Sequence, residues 1–176
     1  MTENLEQQLQ ESVQPASVAV FRSLDPRTVK LWRLTYLIFF GIVILAMLVV
    51  AVSIGWQIPS KRIWLAVGWL AATAIFLWFS FWFPARYYRS WAWRIDAKVL
   101  ELRHGRLIEH TRLVPLARLQ HVDLERGPLE RMFGLSSLVI HTAGTQAAAT
   151  TIPGLEAGEA ERLRDHLVAI GGDDAV

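Results

Sequence analysis

Cysteine is absent from this 176-residue chain, which removes disulfides, thiolate metal ligands and thiol catalysis together. A glycine-rich loop able to cradle phosphate is missing too, so nucleotide chemistry has no foothold. Ser136 and Ser137 stand outside any G-x-S-x-G turn, and no Lys or Asp is spaced to activate them, which argues against a serine hydrolase. Basic surplus is also lacking. The formal net charge is +2, and residues 84–176 carry twelve Lys/Arg against twelve Asp/Glu. A nucleic-acid partner would demand a basic stripe, so none is expected. With no motif for a prosthetic group, no cofactor is expected either, and the whole reads as a non-enzyme.

Charge is missing, above all, from two long runs. Leu34 to Ser60 and Ile63 to Ala85 contain no charged side chain of either sign, and only Lys61 and Arg62 separate them. A hydrocarbon core of about 30 Å takes about 20 apolar residues of helix, so each run is long enough to cross. Inside lipid the backbone must satisfy itself, which makes both runs helical. All eight Trp, from Trp32 to Trp93, lie in or beside this hairpin. Trp32, Trp56, Trp64, Trp82 and Trp91 fall near the expected ends, where an amphipathic ring favours the headgroup layer.

A cleaved signal peptide is the competing account of the first run, with Ala51-Val52-Ser53 as its small-x-small site. The run far exceeds a signal core and 33 residues precede it, so two retained spans are expected. Asp25-Pro26 reads as a helix start, Asp as N-cap and Pro at the first position, with the helix continuing unbroken into the first span. Pro59 breaks the hairpin, and the short loop makes the spans antiparallel neighbours. Ala51/Gly55 and Gly68/Ala72 are small residues four apart; they permit close helix contact but are frequent by chance. Arg22, Arg27, Lys30 and Arg33 precede the first span, and Arg86, Arg89, Arg94 and Lys98 follow the second. Against the two loop bases, this puts both termini in the cytoplasm.

Beyond Pro84 the period shortens. Val99–His104 alternates, Gly105 turns, and 106–114 continues as a second strand. Gln120–Glu125 alternates with Val122 and Leu124 inward and His121, Asp123 and Glu125 outward. Pro128–Phe133, with Pro at its start and Gly134 past its end as a left-handed cap, is a short helix. Its apolar face, Leu129, Met132 and Phe133, is expected to plug the end of the fold, with Phe133 as aromatic anchor. Ser137–Thr142 is a strand, Gly144 a turn, Gln146–Ile152 a weaker strand stopped by Pro153-Gly154. Glu156–Ile170 places Ala160, Leu163, Leu167 and Ile170 on one stripe of a helix closed by Gly171-Gly172. Five His invite a metal reading. His121 and Asp123 share a strand face and His141 lies on a later strand, but the usual local spacings are absent, so no metal site is expected.

The string VPLARLQHVDLERGPLERMFGLSSLVIHTAG (Val114–Gly144), with TIPGL (Thr151–Leu155) and EAERLRDHL (Glu159–Leu167), resembles the bacterial pleckstrin-homology-like domain of YdbS-like membrane proteins. The upstream RSLDPRTVKLWRL and paired spans are similar to that family's anchor. The resemblance implies a two-helix transmembrane hairpin plus a small antiparallel β-barrel, pleckstrin-homology-like and capped by a C-terminal helix. Residues 1–24 are then a polar mobile N-terminal tail, 25–85 the juxtamembrane helix and two transmembrane helices, 86–171 the domain and 172–176 a tail. It also implies that the protein acts beside a larger membrane protein bearing several such domains.

On that footing the expected partner-docking surface is the strand–helix junction at Glu125, Glu130 and Arg131, together with exposed sheet edges. Anionic lipid is the alternative ligand. The turn Ile95-Asp96-Ala97-Lys98 offers one base and one acid, too few for a familiar phosphoinositide pocket. Arg103, Arg106, Arg112 and Arg118 form a looser set that would face lipid.

The topology carries the first prediction. A Cys placed at Ser60 should react with an impermeant thiol reagent added outside intact cells, and a Cys at Thr145 should react only after lysis. The reverse pattern would invert the orientation.

Overall fold

The computed structural model describes residues 20–96, 98–106, 108–143 and 149–173. The expected tail falls outside them up to residue 19, as do the turn at Gly144 and the start of the strand expected at 146. Two long helices open the chain, α1 (Arg27–Gln57) and α2 (Arg62–Tyr88), joined by a 3-10 turn at Pro59–Lys61. Both are long and apolar enough to span a bilayer, and their most apolar windows are 0% and 6% buried. A soluble core helix would not leave such surface bare.

Asp25 starts α1 as expected. Its Oδ1 accepts the Arg27 backbone N–H at 2.7 Å, and its carboxylate pairs with the Arg27 guanidinium. At the far end Pro59 stops the helix, and Arg62 Nε donates to the Gly55 carbonyl at 2.8 Å. Gly55 is thus buried in the hairpin turn, whereas a Cβ on Gly68 would meet nothing. Only the first of the two small pairs lies at a close approach. Helix α2 runs through Pro84 to Tyr88, a turn beyond the point where the strand pattern was expected to begin.

Six strands follow among the described residues: β1 (Ala92–Ile95), β2 (Val99–His104), β3 (His110–Pro115), β4 (Leu119–Glu125), β5 (Leu135–Thr142) and β6 (Ala149–Glu156). Helix α3 (Pro128–Phe133) interrupts them, and α4 (Ala157–Asp173) ends the fold. They form two antiparallel three-stranded sheets, β1-β2-β3 and β4-β5-β6. This is the pleckstrin-homology-like layout, although among the described residues no ladder closes the sheets into one barrel. Arg112 reaches from β3 toward β6 instead, donating to Thr150 Oγ1 at 3.2 Å. Leu100, Leu102, Leu138, Ile140 and Ile152 fill the space between the sheets, and Ala160, Leu163 and Leu167 of α4 pack onto them.

Several boundaries differ from the sequence reading. Arg106, Ile108 and Glu109 belong to the β2–β3 loop, because Gly105 at φ 116° turns the chain so tightly that the Ile108 carbonyl occupies the place of a Cβ. Pro153-Gly154 lies within β6, and Gly171-Gly172 within α4. The short helix does not plug the core. Met132 is 73% exposed, Phe133 only half-buried, and α3 buries none of its residues. It rests instead on the foot of α1, where the Phe133 carbonyl accepts from Arg27 Nη1 at 3.4 Å.

The missing core piece comes from before the first span. Arg22 exchanges two backbone hydrogen bonds with Trp93 on the outer edge of β1, at 2.7 and 2.9 Å. Leu24 is 1% exposed within the core, and Tyr88 Oη donates to its carbonyl at 2.7 Å. The Asp25 N–H and the Thr28 hydroxyl then both donate to the Gly154 carbonyl of β6, at 3.1 and 2.9 Å. Residues 22–24 are therefore part of the domain and not of a tail. Cleavage after Ser53 would strip Leu24 from the core, so the structure speaks against a removed signal peptide.

Leu24→Ala should destabilise the domain by about 2–5 kcal/mol, the usual cost of a buried leucine. Phe133→Ala should cost less than the ~3–5 kcal/mol of a buried phenylalanine. Thermal melts of the purified protein in detergent will check the order; equal losses would contradict this assignment of the core.

Candidate functional site

Where the domain meets the membrane, rings hand contact from one to the next. Phe40 stacks on Phe76 at 4.8 Å between the helices, and Phe79, Phe83, Tyr87 and Trp91 follow at successive separations of 4.9, 5.8 and 6.2 Å. Trp91 then stacks on His104 at 4.7 Å, and His104 lies 5.5 Å from His110 across the β2–β3 turn. The helical part of this ladder is written as one aromatic every three or four residues, which places them on one face of α2. That spacing was the readable signal for the membrane–domain joint. Trp91 correspondingly leaves the expected headgroup belt and is buried in the domain.

The four arginines expected to face lipid do not form one patch. Arg103 is committed to Glu101, whose buried carboxylate it shares with Arg94 at 2.6 Å each. Phe21 covers this triad, 4.4 and 4.8 Å from the two guanidinium carbons. Burial opposes the Glu101 charge, but hydrogen bonds from Arg103 and Arg94 outweigh it and hold the carboxyl below the usual range. Arg112 bridges to β6, and Arg118 is exposed after β3. Arg106 alone sits at the membrane foot. Its guanidinium carbon lies 4.1 Å from the Trp82 ring centre, and Arg86 lies 4.8 Å from the same ring. Two cations over one interfacial indole form a compact basic spot that sequence spacing, 20 residues apart, did not reveal.

The three residues expected to dock a partner also divide. Glu130 is held within the fold: Oε2 accepts the Gly127 N–H and Oε1 the Ser137 hydroxyl, each at 2.7 Å. It caps α3 and ties it to β5. Glu125 and Arg131 remain exposed beside it. A further open surface is β3. It is an outer strand whose second edge has no partner among the described residues, and Leu113 (62% exposed) with Ile108 (68%) stands bare beside it.

Two histidine groups emerge. His104 is half-buried on Trp91, and burial, aided by the neighbouring His110 and Arg112 charges, pulls its pKa below the ordinary value. On the other sheet, antiparallel register sets His121 opposite His141, and both imidazoles reach Asp123. The sequence placed His121 and Asp123 on one face; the strand pairing adds His141.

Comparison with known proteins gives two matches. The bacterial PH domain family model matches residues 16–169. The UPF0699 transmembrane protein YdbS of Bacillus subtilis (strain 168) is 30% identical over 147 residues, covering 82% of this chain and 88% of that one. No solved structure gives a significant match.

The His104 environment sets an acid response. An unfolded chain protonates this imidazole near pH ~6.5, while the folded one resists until a lower pH. Stability therefore falls as pH drops below about 6.5, and the loss levels off beneath the folded pKa. Glu101 is shifted in the same direction but from the lower carboxylate range, so its contribution is present above that range and is lost only as pH falls through it. His104→Gln should flatten the upper step of melting temperature against pH and leave the lower one.

Proposed function

The chain belongs to the bacterial PH domain family, and from that premise we propose that it is a non-enzymatic docking module of the cytoplasmic membrane. The membrane hairpin presents the pleckstrin-homology-like domain at the cytoplasmic face of the inner membrane. There it binds a second, larger membrane protein bearing domains of related fold. The observation that carries this reading is the bare outer edge of β3. Unpaired N–H and C=O groups along an edge strand are a template for strand addition, and exposed Leu113 supplies the apolar contact beside it. Three residues separate Tyr88 at the end of α2 from the start of β1 at Ala92, so the edge cannot stray from the bilayer. Confinement near a membrane-bound partner raises effective concentration, and a modest interface then suffices. Glu125 and Arg131 add a polar rim.

A second reading, recognition of anionic headgroups, draws on the Arg86–Trp82–Arg106 spot. Each base near an anionic surface contributes about 1 kcal/mol, which favours anionic lipid without selecting one headgroup.

One experiment separates the two. A photoreactive residue at Leu113, and another at Glu125, should yield adducts with a second integral membrane protein carrying the same kind of domain. Arg86→Gln/Arg106→Gln should leave those adducts intact. Adducts with lipid alone, abolished by the arginine substitutions, would replace docking by headgroup recognition.

A further inference from the structure

We propose that His121, Asp123 and His141 form a binding site for one divalent transition cation of the zinc class on the outer face of the second sheet. Alternation along β4 turns His121 and Asp123 to the same side, because Val122 between them points into the core. The β4–β5 register then sets His141 directly across from His121. A register shift between Leu119 and His121 marks a bulge just before the site, a device that re-aims the side chains following it. Three donors on two strands are thus fixed by backbone pairing rather than by loop conformation.

The distances suit the chemistry. Asp123 Oδ2 lies 3.6 Å from His121 Nε2 and 3.3 Å from His141 Nε2. Donors bound tetrahedrally at about 2.0–2.2 Å from zinc are separated by roughly 3.3–3.6 Å. All three donor atoms fall within 4.8 Å of one another, so little closure is needed. The imidazoles stack with centres 4.1 Å apart and planes 13° from parallel. A cation therefore requires each ring to tip toward Asp123, a turn about a soft terminal torsion. Cross-strand from Asp123 stands Val139, so no base on β5 competes for the carboxylate directly opposite. Two imidazoles and one carboxylate favour zinc, nickel or copper over calcium or magnesium, which prefer oxygen alone. One or more coordination positions stay open, available to water or to a side chain of a docked protein.

The test uses the untagged full-length protein in detergent micelles, stripped of metal by a chelator and then dialysed. Titration with zinc chloride in a calorimeter should show one saturable equivalent per chain. Cobalt(II) should give the visible bands of a nitrogen- and oxygen-ligated ion. His141→Asn and Asp123→Asn should each weaken zinc binding at least about tenfold, while His104→Asn/His110→Asn should leave it unchanged. Should a site variant fail to fold, copper(II) broadening of the His121 and His141 ring resonances in the unaltered protein reads the site directly. The proposal is overturned if zinc does not saturate, if the His121→Asn/His141→Asn double variant binds as the parent does, or if copper leaves both resonances sharp.

Discussion

One carbonyl oxygen holds the architecture together. The Gly154 carbonyl, near the end of β6, accepts from the Asp25 backbone and from the Thr28 hydroxyl at the root of the first membrane helix. The approach is so close that a Cβ on Gly154 would fall 2.1 Å from Thr28 Oγ1, and the backbone there is left-handed at φ 62°. Only glycine satisfies both conditions without strain. With Arg22 paired to β1 a few residues earlier, the segment before the membrane laces the first sheet to the second. Anchor and domain are therefore one folding unit with a shared core.

The same economy governs the membrane joint. A flexible linker would let the domain tumble, and the sequence gives it none. Instead the ring ladder leaves α2 through Tyr87 and Trp91 and enters the β2–β3 turn at His104. Aromatic pairs contribute about 0.5–1.5 kcal/mol each beyond their burial, so a series of them fixes orientation as well as distance. The basic spot at Trp82 and the open β3 edge inherit that orientation.

How much of this could be read from residues alone follows from which forces are local. Spans without charge, Pro59 at the hairpin and the Asp25 cap are local, and all were legible. So were β2, α3 with its Gly134 cap and the α4 stripe, since period and terminator lie in one short window. What escaped depends on pairing across long distances. Leu24 looks like the end of a polar tail until Trp93 and Gly154 are seen beside it. Phe133, the lone Phe after Phe83, looks like a core anchor, but Leu24 and Trp93 already occupy the core. Met132 is apolar yet points away from the core because Glu130 pins the helix from its other side. Of the proposed sites, His121 and Asp123 could be placed on one face from alternation, whereas His141 needed the register. The arginine set read as a patch because sequence shows only proximity along the chain. Arg103, for one, is spent on a buried carboxylate.

The lacing of residues 22–28 to β6 also sets an order on biosynthesis. Thr28 and its partner Gly154 stand 126 positions apart. At the usual elongation speed of ~5–20 residues per second the early segment waits roughly 6–25 s for its partner to leave the ribosome. A hairpin that crosses twice returns the chain to its starting side, where β6 lies within reach of Leu24. The contact therefore requires both ends of the hairpin on one side of the bilayer: a nascent chain in which only the first span inserted would strand β6 across the membrane from the segment that completes it, leaving an unfinished domain for quality-control proteases to find.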